Sequence, residues 1–282
     1  MPDRHRYRCP LRWNDMDAQG HVNNATYVDY LQEARVDFLL GAGGEVGARL
    51  LDSGVLVVSH QVEYLKPVVF GREPIEIALW VDQVGGSRFT IGYELYDSDG
   101  DLAARARTGA VPFDLSTDTL RRLRDDERAL LTASLQPAAP LRPLPKVRVG
   151  DRGFRFPLLV RWSDLDSYGH VNNVKYYDYV QEGRIALISQ VFPWTPDELW
   201  VVVRQDLEYR RPIDFRTAPY EVVTAVAEVG NRSFTLAAEI VDPRTGTAYA
   251  SCRSVIVRPQ PLTDEQRAGL LAWSVAAGSG PK

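Results

Sequence analysis

Two stretches of the chain carry acid, histidine and amide residues at the same spacing. The first holds Asp15, Asp17, Gly20, His21, Asn23 and Asn24; the second holds Asp164, Asp166, Gly169, His170, Asn172 and Asn173. A positioned carboxylate can act as nucleophile or as general base. Asp17 and Asp166 each precede by seven residues an asparagine, Asn24 or Asn173, where the pattern predicts a helix to begin. The first N–H groups of a helix lack internal partners and carry partial positive charge. They can take a carbonyl oxygen and stabilise the oxyanion that develops on it. His21 and His170 could orient the aspartate or bind the carbonyl, or serve as hydrogen-bonded loop histidines. Asp15 and Asp164 suit a structural role, bonding loop N–H groups. Asn23 and Asn172 suit fixing the loop and the helix start.

The two stretches belong to an internal duplication. Residues 12–36 (RWNDMDAQGHVNNATYVDYLQEARV) and 161–185 (RWSDLDSYGHVNNVKYYDYVQEGRI) align without a gap, identical at roughly fifteen of about twenty-five positions. VEYLKPV at 62–68 echoes LEYRRPI at 207–213, and SRFTIGYEL at 87–95 echoes RSFTLAAEI at 232–240, in the same order. The expected organisation is domain 1 over 1–135, a proline-rich, extended linker over 136–150, and domain 2 over 151–282.

Within each copy the polar, Gly-containing loop leads into a helix. In the first copy Tyr27, Leu31, Ala34 and Phe38 recur at steps of three and four, an apolar helix face. Asn23 or Asn24 supplies its N-cap and GAGG at 41–44 ends it. A strand near 6–13 precedes the loop, and four strand-like runs follow near 55–69, 74–84, 87–97 and 102–113. GG at 85–86 and DSDGD at 97–101 mark hairpins, as do GN at 230–231 and DPRTG at 242–246. The stretches 117–135 and 263–275 read as surface helices capped by their Thr-Asp starts. One helix against a five-stranded antiparallel sheet gives an α+β domain, made twice.

Composition narrows the function class. The chain has 282 residues, 45% hydrophobic and 25% charged, with net charge -4. No basic block suggests nucleic acid, and no apolar run approaches a membrane span. Cys9 and Cys252 are isolated, without metal-ligand spacing, and read as small apolar fillers in a cytoplasmic protein. There is no G-x-S-x-G elbow and no HExxH. GAGGEVG at 41–47 misses the G-x-G-x-x-G spacing and follows a helix rather than a strand.

The block DxDxxGHVNNxxYxxYxQExR and the element order resemble the hotdog-fold thioesterases of the 4-hydroxybenzoyl-CoA and acyl-ACP thioesterase branch. The resemblance covers nearly the whole chain twice and implies a tandem double hotdog, each copy a long helix wrapped by a five-stranded antiparallel sheet. It implies catalytic roles for Asp17 and Asp166, with the backbone N–H of Asn24 and Asn173 polarising the carbonyl and His21 and His170 assisting. Gly20, Gly169, Asn23, Asn172, Tyr27 and Tyr176 would line the substrate site, and Arg88 and Arg232 would hold the phosphates of coenzyme A. Lys66, Arg210 and Arg211 are further candidates for those phosphates. Where the acyl-ACP branch resembles D-x-N-x-H, this chain has Gln19 and Tyr168 in the middle. After Tyr64-Leu65-Lys66 and Tyr209-Arg210-Arg211 it has Pro67 and Pro212 rather than a carboxylate and cysteine. The bacterial acyl-CoA pattern fits better. Hotdog hydratases resemble an Asp and His five apart; the steps here are four or six.

A thiolate is a fair leaving group, since a thiol has a pKa of about 8.5, so a strong general acid is dispensable. Glu33 and Glu182 lie on the helix interior, two residues before Arg35 and Arg184, and read as remote from the chemistry. The leading expectation is an acyl-CoA thioesterase with no cofactor beyond the coenzyme A of its substrate, no nucleic acid partner and no membrane span. Assembly of double-hotdog chains into a homo-oligomer stays open. Acyl-ACP hydrolysis is the rival within enzymes, and a non-catalytic acyl-CoA binder the rival outside them.

Overall fold

The computed structural model describes residues 4–192 and 200–275. It divides into two compact units, Met1–Leu141 and Arg142–Lys282. The divide falls inside the proline-rich stretch, which has no regular secondary structure from 136 to 149. That stretch is bonded to a unit at each end. Gln136 N–H donates to the Val81 carbonyl at 2.8 Å, Ala138 N–H to Asp82 Oδ1 at 2.8 Å, and Arg107 to the Ala138 and Ala139 carbonyls at 2.9 Å. At the other end Val147 and Val149 pack with Val223 and Ala225, and Lys146 pairs with Glu208 at 3.2 Å.

The first unit runs β1 (His5–Cys9), α1 (Thr26–Leu40), α2 (Gly44–Ser53), β2 (Val55–Tyr64), β3 (Ile75–Val84), β4 (Phe89–Tyr96), β5 (Leu102–Asp114), the two-residue β6 (Thr119–Leu120) and α3 (Asp125–Ala133). Its main sheet has the order β1-β3-β4-β5-β2, every pair antiparallel. The second unit runs β7 (Phe154–Leu158), α4 (Lys175–Val191), β8 (Val201–Tyr209), β9 (Tyr220–Val229), β10 (Ser233–Asp242), β11 (Thr247–Val257) and α5 (Asp264–Ala272). Its sheet order is β7-β9-β10-β11-β8, again antiparallel throughout. The expected helix plus five strands is present in each unit.

The core follows the two periodicities. On α1 the predicted face is buried at Tyr27, Leu31, Ala34 and Phe38. On the sheet, alternate residues Ile77, Leu79, Val81, Ile91, Tyr93 and Leu95 are buried, as a pleat with one face on a helix requires. Each large apolar side chain so buried contributes about 1.5–3 kcal/mol.

Two expectations are corrected. The GAGG stretch ends α1 but at once starts α2, a helix the sequence reading lacked. A Cβ on Gly47 would land on the Leu39 carbonyl oxygen, so the crossing of the two helices needs glycine there. The stretch 117–135 is helical only over Asp125–Ala133; Thr117 sits in a turn, and Thr119–Leu120 pair with Phe113–Asp114. The buried Glu127 side chain instead reaches back to the Arg124 N–H at 2.8 Å and to Arg121. In the second unit Thr263 is the cap, its hydroxyl accepting the Gln266 N–H at 3.2 Å.

The two threonines should therefore differ. Thr263→Ala removes a real N-cap and costs about 1 kcal/mol. Thr117→Ala, in a turn, stays within about 0.5 kcal/mol of wild type. Urea denaturation at neutral pH of both variants measures the contrast.

Candidate active site

A buried aspartate builds the loop before each long helix. Arg12 to Asp15 form a tight turn through Trp13–Asp15. Asp15 is 4% exposed, takes the Tyr30 hydroxyl at 2.6 Å and takes the Arg12 N–H at 2.8 Å. In the second unit Asp164 is 6% exposed, bonded to the Tyr179 hydroxyl at 2.7 Å and the Arg161 N–H at 2.9 Å. Tyr30 and Tyr179 belong to the long helices, so each bond fastens loop to helix. The structural role expected for this aspartate pair is what the geometry shows.

The next residues fold back on themselves. Asp17 N–H donates to the His21 carbonyl at 2.7 Å, Gly20 N–H returns to the Asp17 carbonyl at 3.1 Å, and Met16 bridges Val22. Asp166, His170, Gly169, Leu165 and Val171 repeat this. Gly20 and Gly169 have φ of 79° and 82°, left-handed values that exclude most side chains. Both glycines shape the turn. Inside the turn Asp17 Oδ1 accepts the Gln19 N–H at 2.8 Å and the His21 N–H at 3.3 Å. Asp166 Oδ1 accepts the Tyr168 N–H at 2.9 Å, and the His170 N–H also bonds this carboxylate. An ionised carboxylate offers about four lone-pair sites, so this anchoring leaves acceptor capacity for water or substrate.

The helix start lies directly beyond. Asn23 Oδ1 accepts the Ala25 N–H at 2.9 Å, and its carbonyl accepts the Thr26 N–H at 2.9 Å. Asn172 does the same for Val174 at 3.0 Å and Lys175 at 2.9 Å. Asn23 and Asn172 thus hold the turn that leads into each helix, whose cap positions are Ala25 and Val174. The Asn24 carbonyl accepts the Tyr64 hydroxyl at 2.9 Å, and the Asn173 carbonyl accepts that of Tyr209 at 2.7 Å. Tyr27 and Tyr176, expected to line the substrate site, are buried and clamp the segment after β2 or β8. Their hydroxyls accept the N–H of Val68 and of Ile213, each at 3.1 Å.

Asp17, His21 and Asn24 are therefore brought together around one turn, as are Asp166, His170 and Asn173. His170 Nε2 lies 3.8 Å from Asp214 Oδ1. Arg88 and Arg232 are not brought here. Arg88 donates to Ser59 at 3.1 Å, five residues along β2 from Tyr64, or about 17 Å. Arg232 takes the Arg258 N–H on its carbonyl, past the end of β11 where Val257 pairs with Val201, whereas Tyr209 pairs with Ala250. Lys66 is held by Asp97 and Asp101 at 2.6 Å, and Arg210 by Ser251 and Glu239. Glu33 and Glu182 are exposed on the helices. The sequence reading missed the roles of Tyr64 and Tyr209, although they sit in the repeated VEY and LEY triplets. It also missed an exposed edge-on pair beside each loop, Trp13 with Phe70 and Trp162 with Phe215.

The aspartates differ electrostatically. Burial works against the charge of Asp15, but bonds from Tyr30, the Arg12 side chain and the Arg12 N–H outweigh it and hold its pKa below the ordinary value. For Asp166 burial dominates and raises the pKa, against the Tyr168 and His170 N–H groups. Among the described residues no group of three or more His, Cys, Asp or Glu is placed to hold a metal, and no helix is long and apolar enough to cross a membrane.

A family model described as the thioesterase-like superfamily matches residues 11–144 and 160–258. The chloroplastic acyl-acyl-carrier-protein hydrolase FATB3 of Cuphea viscosissima is 29% identical over 187 residues, 63% of this chain and 43% of that protein. The 1,4-dihydroxy-2-naphthoyl-CoA hydrolase of Thermosynechococcus vestitus is 30% identical over 104 residues, 36% of this chain and 70% of that protein. The chain spans about half the length of the plant relatives it matches. Among solved structures, the 12:0-ACP thioesterase of Umbellularia californica superposes with a TM-score of 0.72 at 18% identity, over 90% of this chain and 96% of that one. That likeness is one of fold, the α+β double hotdog.

Opposite stability effects follow for the two kinds of aspartate. A depressed carboxyl pKa contributes stability above the unfolded value, lost as pH falls through the folded one. Asp15→Asn should thus cost about 2 kcal/mol at pH 7, less as the solution is acidified below about pH 4. A raised carboxyl pKa makes the ionised form the strained one, so stability falls as pH rises through it. Asp166→Asn should be as stable as wild type or more so at pH 7. Urea titrations of both variants from pH 3.5 to 7 provide the check.

Proposed function

The chain belongs to the thioesterase-like superfamily, and from that premise we propose that it hydrolyses acyl thioesters, releasing the free acid and the thiol of the carrier. The observation that carries this reading is the twofold occurrence of one arrangement: an aspartate anchored by loop N–H groups, set against the start of a long helix. In this reading Asp17 and Asp166 attack the thioester carbonyl or deprotonate the water that does. The N–H groups at Asn24 and Asn173 donate to the developing oxyanion, and the thiolate leaves without a strong acid. The anchoring bonds fix the carboxylate before substrate arrives, so little reorganisation accompanies the reaction. His21 and His170 close the turn through their backbone and stand beside the carboxylate as orienting groups. The raised pKa of Asp166 suits a base, since a more basic carboxylate takes a proton from water more readily.

Coenzyme A is the carrier we propose, bound as part of the substrate, with no other cofactor and in a cytoplasmic setting. Much of the positive charge near the loops is already neutralised, Arg12 by Asp15, Lys66 by Asp97 and Asp101, and Arg216 by Asp242. This leaves a poor basic face for an acidic carrier protein. One observation favours acyl carrier protein instead: the relatives that align across both units are named acyl-carrier-protein thioesterases. Rates on matched acyl-CoA and acyl-ACP distinguish the carriers.

Thiol release from a panel of acyl-CoAs should fall by about 100-fold or more when both Asp17→Asn and Asp166→Asn are present, the range for a positioned acid–base group. The single variants report how turnover divides between units. In Asp17→Asn the acidic limb of the pH–rate profile should lie above the ordinary carboxylate value, because protonated Asp166 is inactive. Full activity in the double variant would remove both aspartates from the mechanism. Tight binding of unhydrolysed acyl-CoA to wild type would point to a binding protein.

A further inference from the structure

Two equivalent surfaces of the units repeat in backbone and differ in charge. The N–H groups of Leu65 and Lys66, just past Tyr64, share the Ala103 carbonyl at 2.8 and 3.1 Å. Those of Arg210 and Arg211, just past Tyr209, share the Tyr249 carbonyl at the same 2.8 and 3.1 Å. The hairpin beside each strand end repeats as well. Asp97 Oδ1 accepts the Asp99 N–H, and Asp242 Oδ1 accepts the Arg244 N–H, each at 3.0 Å. Arg211 therefore stands where the first unit has Lys66, and Arg244 where it has Asp99.

In the first unit this surface is acidic and closed. Residues 65–74 and 97–101 carry two cations, Lys66 and Arg72, against four carboxylates, Glu73, Asp97, Asp99 and Asp101, a balance of -2. Lys66 Nζ reaches the hairpin and is held at 2.6 Å by both Asp97 and Asp101. In the second unit residues 210–219 and 242–246 carry four cations, Arg210, Arg211, Arg216 and Arg244, against two carboxylates, Asp214 and Asp242, a balance of +2. Asp242 is spent on Arg216, whose guanidinium also lies 3.5 Å from the centre of the Tyr220 ring, and on Arg244 at 3.1 Å. Among the described residues no carboxylate pairs with the exposed Arg211. The side chains of Arg210 and Arg244 are 45% and 63% exposed, and Arg210 reaches Glu239 at 3.8 Å.

This basic surface adjoins the second turn. The Tyr209 hydroxyl donates to the Asn173 carbonyl at 2.7 Å, and the Arg211 carbonyl accepts the Tyr176 hydroxyl of α4 at 3.4 Å. Arg211 follows Tyr209 by two residues, about 7 Å of strand. A CoA thioester has its sulfur at one end of a neutral arm and its phosphates at the other. An anion site beside the reacting turn, and not in it, is what such a substrate requires. Guanidinium groups offer paired N–H donors to phosphate oxygens.

We propose that Arg210, Arg211 and Arg244 form a subsite for the phosphates of the CoA carrier in the second unit, and that the equivalent surface of the first unit, closed by Lys66 with Asp97 and Asp101, holds none. The proposal rests on the thioesterase reading. It makes the duplicated sites unequal toward a phosphate-bearing substrate although their turns are alike.

The test compares one acyl group carried on CoA and on pantetheine, which lacks the phosphates. The ratio of their kcat/KM values reads the subsite. It should fall by roughly 10-fold in Arg211→Gln, the effect of one charge-assisted bond, through KM rather than kcat, and further in Arg211→Gln with Arg244→Gln. Arg211→Lys should recover part of it, and Lys66→Gln should leave it within about twofold of wild type. The preference for CoA should persist in Asp17→Asn, where the second unit works alone. A ratio unchanged in the double arginine variant, or an equally strong preference for CoA in Asp166→Asn, would overturn the proposal and leave the hydrolase reading intact. Cleavage of neither thioester would sink the hydrolase reading. In that event calorimetry with free CoA decides: binding weakened by roughly 10-fold in Arg211→Gln would still support the phosphate subsite, and binding that is absent or unweakened would overturn it.

Discussion

The hydrogen bond between a buried aspartate and a helix tyrosine, Asp15 to Tyr30 and Asp164 to Tyr179, is the constraint on which each site depends. The aspartate is almost sealed from water, so its charge must be met by donors that do not move. A backbone N–H at Arg12 or Arg161 meets it from the loop side and a phenol meets it from the helix side. Loop and helix are locked by a shared acceptor. The Asn23 and Asn172 N–H groups then donate to the backbone carbonyls of these same aspartates at 2.8 Å, which sets where the helix can begin. Everything proposed to do chemistry hangs between those two fixed points.

This explains why the second aspartate can face a helix start at all. A free loop carboxylate would collapse onto the nearest unpaired N–H groups, which are those of the helix terminus. Here Asn23 and Asn172 supply their own oxygens to that terminus, while Asp17 and Asp166 are given other N–H groups within the Gly20 and Gly169 turns. Tyr64 and Tyr209 fix the first helix carbonyls from the sheet. Tyr27 and Tyr176 lash the segment after β2 or β8 to the helix flank. Three aromatic hydroxyls on two elements, Tyr27, Tyr30 and Tyr64 in one unit and Tyr176, Tyr179 and Tyr209 in the other, therefore define the position of each turn.

Much of this was legible in the residues. The duplication, the helix face from Tyr27 to Phe38 and the strand runs follow from periodicity, because burial of one face enforces it. Asp15 and Asp164 read as structural because a loop carboxylate can bond neighbouring N–H groups. What stayed hidden was tertiary. The start of α2 is invisible because glycine that ends a helix and glycine that lets two helices cross look the same in sequence. Thr117-Asp118 and Thr263-Asp264 are indistinguishable as strings, yet only Thr263 caps, since Thr119–Leu120 pair with the end of β5 in the first unit. Arg88 and Arg232 flank hairpins that the fold carries to the far end of β2 and β8, a distance no local pattern reports. Helix phase separates Glu33 from Arg35, two residues on, and puts the glutamate outside and the arginine inside.

The two units also show where duplication has held and where it has drifted. The turn geometry repeats within a few tenths of an ångström in its hydrogen bonds, whereas the residues facing the helix interior do not repeat in type: His60 and Thr108 in one unit correspond to Gln205 and Ser254 in the other. An imidazole and an amide make different interiors, since burial first and the charge of Arg35 second hold the His60 pKa down, while the Gln205 amide has no charge to lose. Burial differs at the turn too, enough to raise the Asp166 pKa. A shared loop with unlike interiors is the arrangement expected when one reaction is kept and the group presented to it is varied. The loop chemistry tolerates little geometric change, but the interior tolerates any substitution that keeps its volume and satisfies its polar atoms.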